Sequence, residues 1–236
     1  ASRGIVDAAL AALHRVRHRG AVSSDQRSGD GAGLLLPLSE TFFRRWASRA
    51  RFNIDATLPL GVGVFFLPNT TGAEGDDERR LIRRLALEAG QAEQLDLVDW
   101  RPVPVEPEAL GAAARSSLPR IEQAMFTASP TLTSDALEAR CFRMRKRAER
   151  SLATVRLPGY IASLSFRTVT YKAMCAADQL ATFYPDLRDP GLTASFAVFH
   201  QRYSTNTEPS WERAQPFRML CHNGEINTIQ GNVNRM

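Results

Sequence analysis

The chain has 236 residues, of which 44% are hydrophobic and 23% charged, and its formal net charge is +5. These proportions are those of a soluble globular protein long enough to build a sizeable core. No stretch reaches eighteen consecutive apolar residues, and His and Arg interrupt the apolar N-terminal region, so neither a membrane span nor a signal peptide is predicted. The three cysteines, Cys141, Cys175 and Cys221, have no metal-site or disulfide spacing, which favours a cytoplasmic location.

The first third of the chain alternates predicted helices with buried strands. Apolar residues recur at helical spacing over 5–19, and a Gly- and Ser-rich loop then leads into the strand AGLLLPL. Ser39 is a candidate N-cap for the helix that follows it, and GVGVFFLP at 61–68 is a predicted core strand. The next pattern predicts a charged amphipathic helix with Gly90 as its C-cap.

The rest of the chain predicts more strands around one long helix. The strands are LDLVDWRPVPV, PRIEQAMFTA, GYIASLSF, TVTYKA and GLTASFAVFHQRYS (191–204), and a short helix covers AADQLATFY. Ser134 or Asp135 is expected to cap the long helix, which runs to about Leu152. We interpret 70–155 as an αβ insertion within one domain, because strands resume directly after it. This order of elements predicts a layered α/β domain.

The segment RCFRMRKRAER at 140–150 contains six basic residues. Such a run is ordinarily the solvated face of a helix, and an anion or nucleic-acid patch is the alternative. Aromatic side chains barely interleave with these charges, so we expect no nucleic-acid partner.

The glycine cluster SGDGAG at 28–33 does not predict a nucleotide site. It lacks the G-x-G-x-x-G spacing and the Gly-Lys-Ser ending, and it runs into a strand rather than into a helix N-terminus. Its glycines instead predict close backbone packing beside a site.

The stretch FHQRYSTNTEPSW at 199–211 places His200, Arg202 and Thr205 among other polar residues at the end of an apolar strand. An arginine fork matches a carboxylate bidentately, and neighbouring hydroxyls can complete a site for a small polar ligand. A strand end followed by polar turn residues has the same composition, so this stretch alone leaves both interpretations open.

A second candidate site is the Asn223–Gly224 pair in LCHNGEINT. A strand-like run precedes the pair and a helix-like apolar spacing follows it, which predicts a strand, a turn and a helix rather than a hairpin. In that geometry the Asn223 side-chain amide and the Gly224 backbone N–H can point the same way and stabilise an oxyanion. An ordinary tight turn is the alternative.

Together, RHRGAVSSDQRSGDGAGLL and ADQLATFYPDLRDPGLTASFAVFHQRYSTNTEPSWERAQPFRMLCHNGEINTIQGNVNRM resemble the amidotransferase domain of the glutamate synthase large chain. That domain is a class II glutamine amidotransferase of the N-terminal-nucleophile type. The resemblance is dense over 1–67 and 156–236 and looser between them. It implies a four-layer αββα sandwich and an enzyme that hydrolyses L-glutamine to L-glutamate and ammonia.

The resemblance also implies partners outside these residues. Ammonia would pass through an internal tunnel to a synthase domain, where 2-oxoglutarate is reductively aminated with the help of FMN and an iron–sulfur cluster. Neither cofactor is expected to bind within this sequence. A reductase subunit is a further expected partner.

The resemblance assigns roles to individual residues by position. Asn223 and Gly224 correspond to the oxyanion hole. Arg202 corresponds to the residue that binds the α-carboxylate of glutamine, with Thr205 and His200 beside it.

Arg19 resembles the arginine that lies next to the nucleophile, although His18 and Arg19 near a helix end also have the ordinary interpretation of cations at a C-terminus. Residues 203–211 resemble a loop that closes over glutamine. The family nucleophile is an N-terminal cysteine whose own α-amine acts as the base, whereas this sequence starts at Ala1. We therefore expect a partial domain that lacks the nucleophile strand and the C-terminal part and is inactive alone, with Cys221 in the core. A non-catalytic glutamine-binding or regulatory module is the alternative.

Overall fold

The computed structural model describes residues 1–20, 25, 27–52, 54–201, 209–217, 234 and 236, and it mixes helices with antiparallel strands. The helices are α1 Arg3–Arg15, α2 Glu40–Arg49, α3 Gly72–Gln91, α4 Ala112–Ser116, α5 Ser134–Thr154 and α6 Leu180–Phe183. The strands are β1 Ala32–Pro37, β2 Leu60–Leu67, β3 Asp96–Pro102, β4 Arg120–Thr127, β5 Tyr160–Ser165, β6 Thr168–Ala173 and β7 Val198–Gln201. Short 3-10 turns are Arg17–Arg19, Pro107–Ala109 and Pro185–Arg188.

The strands form two antiparallel sheets. One has the order β6-β1-β7 and the other the order β3-β4-β2-β5. Segment 70–155 supplies β3 and β4, which pair beside β2, and it also supplies helices α3 and α5. This segment is therefore built into the larger sheet and its helical cover.

Strand β2 separates two apolar cores because its side chains alternate between its faces. Val62, Val64 and Phe66 join the core shared with β1, α1 and α2, whereas Phe65 and Leu67 join the core under α3 and α5. Burial on both faces explains why the strand is apolar at successive positions, and each such side chain stabilises the fold by about 1.5–3 kcal/mol. The layers agree with the predicted αββα sandwich of the N-terminal-nucleophile type.

A buried polar cluster connects the two sheets. Arg101 of β3 donates hydrogen bonds of 2.6 Å to Asp186 and to Gln123 Oε1 of β4, and Tyr171 of β6 donates one of 3.0 Å to Asp186. The Arg101 guanidinium also lies 5.5 Å from the ring centre of Phe42 in α2. Burial, and next the Asp186 charge, raise the pKa of the Tyr171 hydroxyl, so it stays a donor.

The end of α3 differs from the prediction. The helix continues through Gly90 to Gln91, so the prediction of Gly90 as the C-cap is wrong. The chain turns instead at Gln94, whose φ is 55°, and the Leu95 N–H donates to the Gly90 carbonyl at 2.9 Å. A Cβ at Gly90 would lie 3.2 Å from the Leu95 carbonyl oxygen, so the glycine serves close packing here.

The start of α5 differs by one residue. Thr133 is its N-cap, and its hydroxyl accepts a hydrogen bond of 3.2 Å from the Ala136 N–H. The prediction of Ser134 or Asp135 as the cap is therefore wrong. Both residues lie in the first turn and contact Arg167 instead.

Candidate functional site

The glycine cluster ends in β1, where Gly33 lies opposite Lys172 of β6 and opposite His200 of β7. A Cβ at Gly33 would come within 2.5 Å of the Gln215 carbonyl oxygen and 2.8 Å of the Tyr171 carbonyl oxygen. The backbone around Gln215 therefore runs directly against β1, at a place where only glycine fits. This confirms that the cluster serves close backbone packing.

Residues 209–217, called the covering segment below, are held against this part of the sheet at several points. Trp211 is 3% exposed, and its ring centre lies 6.0 Å from that of Phe66 and 5.7 Å from that of Phe183. Ala214 is fully buried, and its Cβ would be 3.2 Å from a Cβ at Gly31, whose φ is +132°. A φ of this sign favours glycine. Glycine at position 31 therefore suits both the local backbone conformation and the close approach of Ala214 in the covering segment.

Of the predicted site residues, Arg19 and His200 lie in the described part of the chain, on neighbouring elements. Arg19 is exposed at the end of the 3-10 turn Arg17–Arg19, and its N–H donates to the Val16 carbonyl at 2.9 Å. His200 is half-buried in β7. A Cβ at Gly20 would overlap the side-chain amide of Gln201, so the turn that carries Arg19 contacts the strand that carries His200.

The other predicted site residues lie outside the described residues. They are Arg202, Thr205, Asn223 and Gly224. Cys221 and most of the predicted closing loop over 203–211 also lie outside them; Trp211 is the buried anchor described above.

Lys172 is a residue of this region that the sequence reasoning missed. It is 1% exposed, and its Nζ donates hydrogen bonds of 2.7 Å to the Glu212 carbonyl oxygen and 3.2 Å to the Tyr160 hydroxyl. The Nζ also lies 4.7 Å from the ring centre of Tyr160 and 5.1 Å from that of Phe217. The strand TVTYKA alternates polar and apolar residues and places Lys172 in the polar set, so the sequence pattern predicts a solvent-facing lysine and carries no signal of its burial.

The two described cysteines are poor nucleophiles. Cys141 and Cys175 are both buried, and burial raises the pKa of each thiol far above neutral. Nearby Glu138 and Asp178 add to the effect at Cys141 and Cys175 respectively. Since the thiolate is the reactive form, neither residue is suited to covalent catalysis.

Basic side chains of the 140–150 run on α5 form hydrogen bonds and ion pairs with acceptors in the same chain. Arg143 and Arg147 hold the two carboxylate oxygens of buried Glu93 at 2.6 and 2.7 Å, and Lys146 contacts Glu149 at 3.0 Å. Arg140 donates to the Glu93 carbonyl at 2.8 Å. These contacts favour a structural interpretation of the run over an anion-binding patch.

Within the described ranges, no group of three or more His, Cys, Asp or Glu side chains could hold a metal ion. None of the helices in the same part of the chain combines the length and apolar character that crossing a membrane requires.

Comparison with known proteins identifies the family. The profile of the class-II glutamine amidotransferases matches residues 1–236. The chain is 40% identical over 232 residues to the ferredoxin-dependent glutamate synthase 2 of Synechocystis sp., and 39% identical over 239 residues to the glutamate synthase [NADPH] large chain of Azospirillum brasilense. These matches cover 98% and 99% of this chain but 14% and 15% of the relatives, so the chain spans about a seventh of their length. The chain belongs to the class-II glutamine amidotransferases.

Proposed function

We propose that this chain is the glutamine-hydrolysing part of a glutamate synthase. The observation that carries the proposal is the family match over residues 1–236, together with relatives of 39–40% identity that are named glutamate synthases. Ammonia released from L-glutamine would be transferred to a synthase domain and used there to aminate 2-oxoglutarate reductively. FMN, an iron–sulfur cluster and a reductase subunit would belong to that other part of the enzyme.

The proposed reaction is an acyl transfer through a thioester. A cysteine thiolate attacks the carboxamide carbon of glutamine, the C–N bond breaks, and the nitrogen leaves as ammonia after taking up a proton. Water then cleaves the thioester to give glutamate and to restore the thiol. Because burial keeps Cys141 and Cys175 protonated, we assign the nucleophile to neither of them.

The proposed substrate contacts are those that the resemblance to the glutamate synthase amidotransferase domain implies, and each suits the chemistry of its side chain. The Arg202 fork would bind the α-carboxylate of glutamine bidentately, with Thr205 and His200 beside it. The Asn223 amide and the Gly224 N–H would donate to the oxyanion of the tetrahedral intermediate. Arg19 would add positive charge near the thiolate. The contact between Gly20 and Gln201 supports grouping Arg19 with the end of β7.

Two substitutions in the protein at its natural length test this proposal. Arg202→Lys should raise the KM for glutamine at least tenfold, because an ammonium cannot replace a bidentate fork. Asn223→Ala should lower kcat by about 10²–10³-fold and change KM little, as expected when one oxyanion donor is removed. Lys146→Met, on the exposed face of α5, is the control and should leave both constants unchanged.

The alternative of a non-catalytic binding module makes a different prediction. Such a protein would bind glutamine in calorimetry and lose that binding in Arg202→Lys, but it would release no ammonia.

The assignment of Asn223 to the oxyanion hole has its own contrary outcome. An Asn223→Ala variant in which only KM changes would contradict the oxyanion role.

A further inference from the structure

We propose that Lys172 is a positioning residue for glutamine hydrolysis, acting through the covering segment. Its ammonium holds residues 209–217 against the sheet, and these residues lie in the chain between the two stretches that carry Arg202 and Asn223. This inference rests on the proposed function for its catalytic part. Its structural part, the anchoring of the covering segment, can be measured separately.

The contacts of the buried Lys172 ammonium show how it can hold the covering segment in place. Burying an ammonium is unfavourable unless hydrogen bonds and nearby charge or ring faces compensate for its lost hydration. Here the Glu212 carbonyl and the Tyr160 hydroxyl accept hydrogen bonds, and the rings of Tyr160 and Phe217 lie about the ammonium. Two of these four contacts belong to the covering segment, so the ammonium is compensated in part by that segment staying in place.

The choice of lysine at this position is informative. The chain contains 30 Lys and Arg residues, and only two of them, Lys146 and Lys172, are lysines. Lys146 is exposed on α5, whereas Lys172 of β6 is 1% exposed and contacts the covering segment. An arginine fork is planar and wider than an ammonium. The Gln215 carbonyl oxygen lies 2.5 Å from the position of a Cβ at Gly33, the residue opposite Lys172, so the space beside the lysine is narrow and suits the compact ammonium.

The connection to the predicted site follows from chain continuity. Residues 202–208 enter the covering segment at its N-terminal end, and residues 218–233 leave it at its C-terminal end. Trp211 fixes the first half by apolar packing, and the Lys172–Glu212 bond fixes the adjacent backbone. A displacement of this backbone would be passed to both predicted substrate-binding stretches. Misplacement of reacting groups by about 1 Å can lower the rate by about 10²-fold.

The first test is the kinetics of Lys172→Met in the protein at its natural length. Methionine keeps the apolar stem and removes the ammonium. We expect kcat/KM for glutamine to fall at least tenfold, at a temperature well below the melting temperature of the variant. Lys146→Met, which changes the other lysine in the same way, should match the wild type. A lower melting temperature with unchanged kcat/KM would show a merely structural role and overturn the proposal.

The second test is amide hydrogen exchange over 209–217. Lys172→Met should speed exchange in this segment and leave β2 and β4 unchanged, whereas Lys146→Met should change neither. Tyr160→Phe keeps the ring but removes one hydrogen-bond acceptor, so it should speed exchange in the segment to a smaller extent. This variant replaces Lys172→Met in the experiment if Lys172→Met does not fold. Unchanged exchange in both variants would refute the anchoring. If the wild type releases no ammonia, the proposed function fails, while the exchange data still decide the anchoring.

Discussion

The guanidinium of Arg101 and the carboxylate of Asp186 form two parallel hydrogen bonds of 2.6 Å, and the two side chains are 3% and 5% exposed. The pair brings a strand of the larger sheet together with the segment that follows α6. Bidentate geometry makes such a pair strong, but both charges also lose their hydration. Its contribution is therefore clearest when one partner is removed.

Arg101→Met should lower the free energy of unfolding by about 3–5 kcal/mol, because it leaves the Asp186 carboxylate buried without its cation. Urea denaturation followed by circular dichroism measures this change. Arg80→Met is the matched control, since Arg80 and its partner Asp77 are 67% and 68% exposed. An exposed pair contributes about 0–1 kcal/mol. Equal small effects at both positions would contradict a structural role for the buried pair.

Gly33→Ala should disturb the region around the predicted site more than an ordinary glycine substitution. The added methyl would meet the carbonyl oxygens of Gln215 and Tyr171, and backbone atoms cannot move aside cheaply. We expect a loss of about 1–3 kcal/mol in unfolding free energy, as for overpacked cores, and reduced glutaminase activity.

The control for Gly33 is Gly4→Ala in α1, where the nearest atom to the added methyl is 3.8 Å away. Alanine is the better helix former, so this variant should be as stable as the wild type or slightly more stable. Chemical denaturation of both variants measures the difference. If Gly33→Ala were as stable as Gly4→Ala, the backbone of the covering segment would be able to move aside at little cost in free energy.

The sequence predicts the number and type of the main elements well where the apolar pattern is strong. Strand β2 is apolar at successive positions and α3 and α5 repeat at helical spacing, so their existence follows from periodicity. Their ends depend on finer contacts. Helix α3 continues through Gly90, where a Cβ would lie 3.2 Å from the Leu95 carbonyl oxygen and 3.4 Å from the Phe126 ring, and no local signal in the sequence distinguishes a glycine needed for close packing from a cap.

The last predicted strand shows the same limit. The pattern over 191–204 predicts one continuous strand, but the described residues form β7 over Val198–Gln201 and a separate bridge between Ala194 and Ser2. That bridge joins residues 192 positions apart along the chain, so periodicity cannot reveal it. Lys172 was missed for a related reason, because its partners Tyr160 and Glu212 are distant in sequence and its role depends on where the covering segment runs.

Thr133→Ala should lower the free energy of unfolding by about 1 kcal/mol, because the threonine hydroxyl caps the first turn of α5. Ser134→Ala is the adjacent comparison. Its hydroxyl accepts a hydrogen bond of 2.7 Å from exposed Arg167, and its loss should cost less than about 0.5 kcal/mol. Thermal or urea denaturation ranks the two variants, and a larger loss for Ser134→Ala would place the cap one residue later.

Glu93 should make the stability depend on pH in the acid range. Burial raises the pKa of this carboxyl, but hydrogen bonds from Arg147 and Arg143 outweigh burial and hold the pKa below its ordinary value of 4.5. A lowered folded-state pKa means that the folded protein binds fewer protons than the unfolded chain at acid pH. The stabilisation is therefore present above about pH 4.5 and is lost as the pH falls through the folded-state pKa.

Glu93→Gln tests this directly, because glutamine has nearly the same shape and does not titrate. The wild type should exceed the variant in unfolding free energy near neutral pH, and the difference should shrink as the solution is acidified below pH 4.5. In this variant Arg143 and Arg147 lose their buried carboxylate partner. If the difference in unfolding free energy between the wild type and the variant stayed constant through the acid range, the ion pairs would not stabilise the fold.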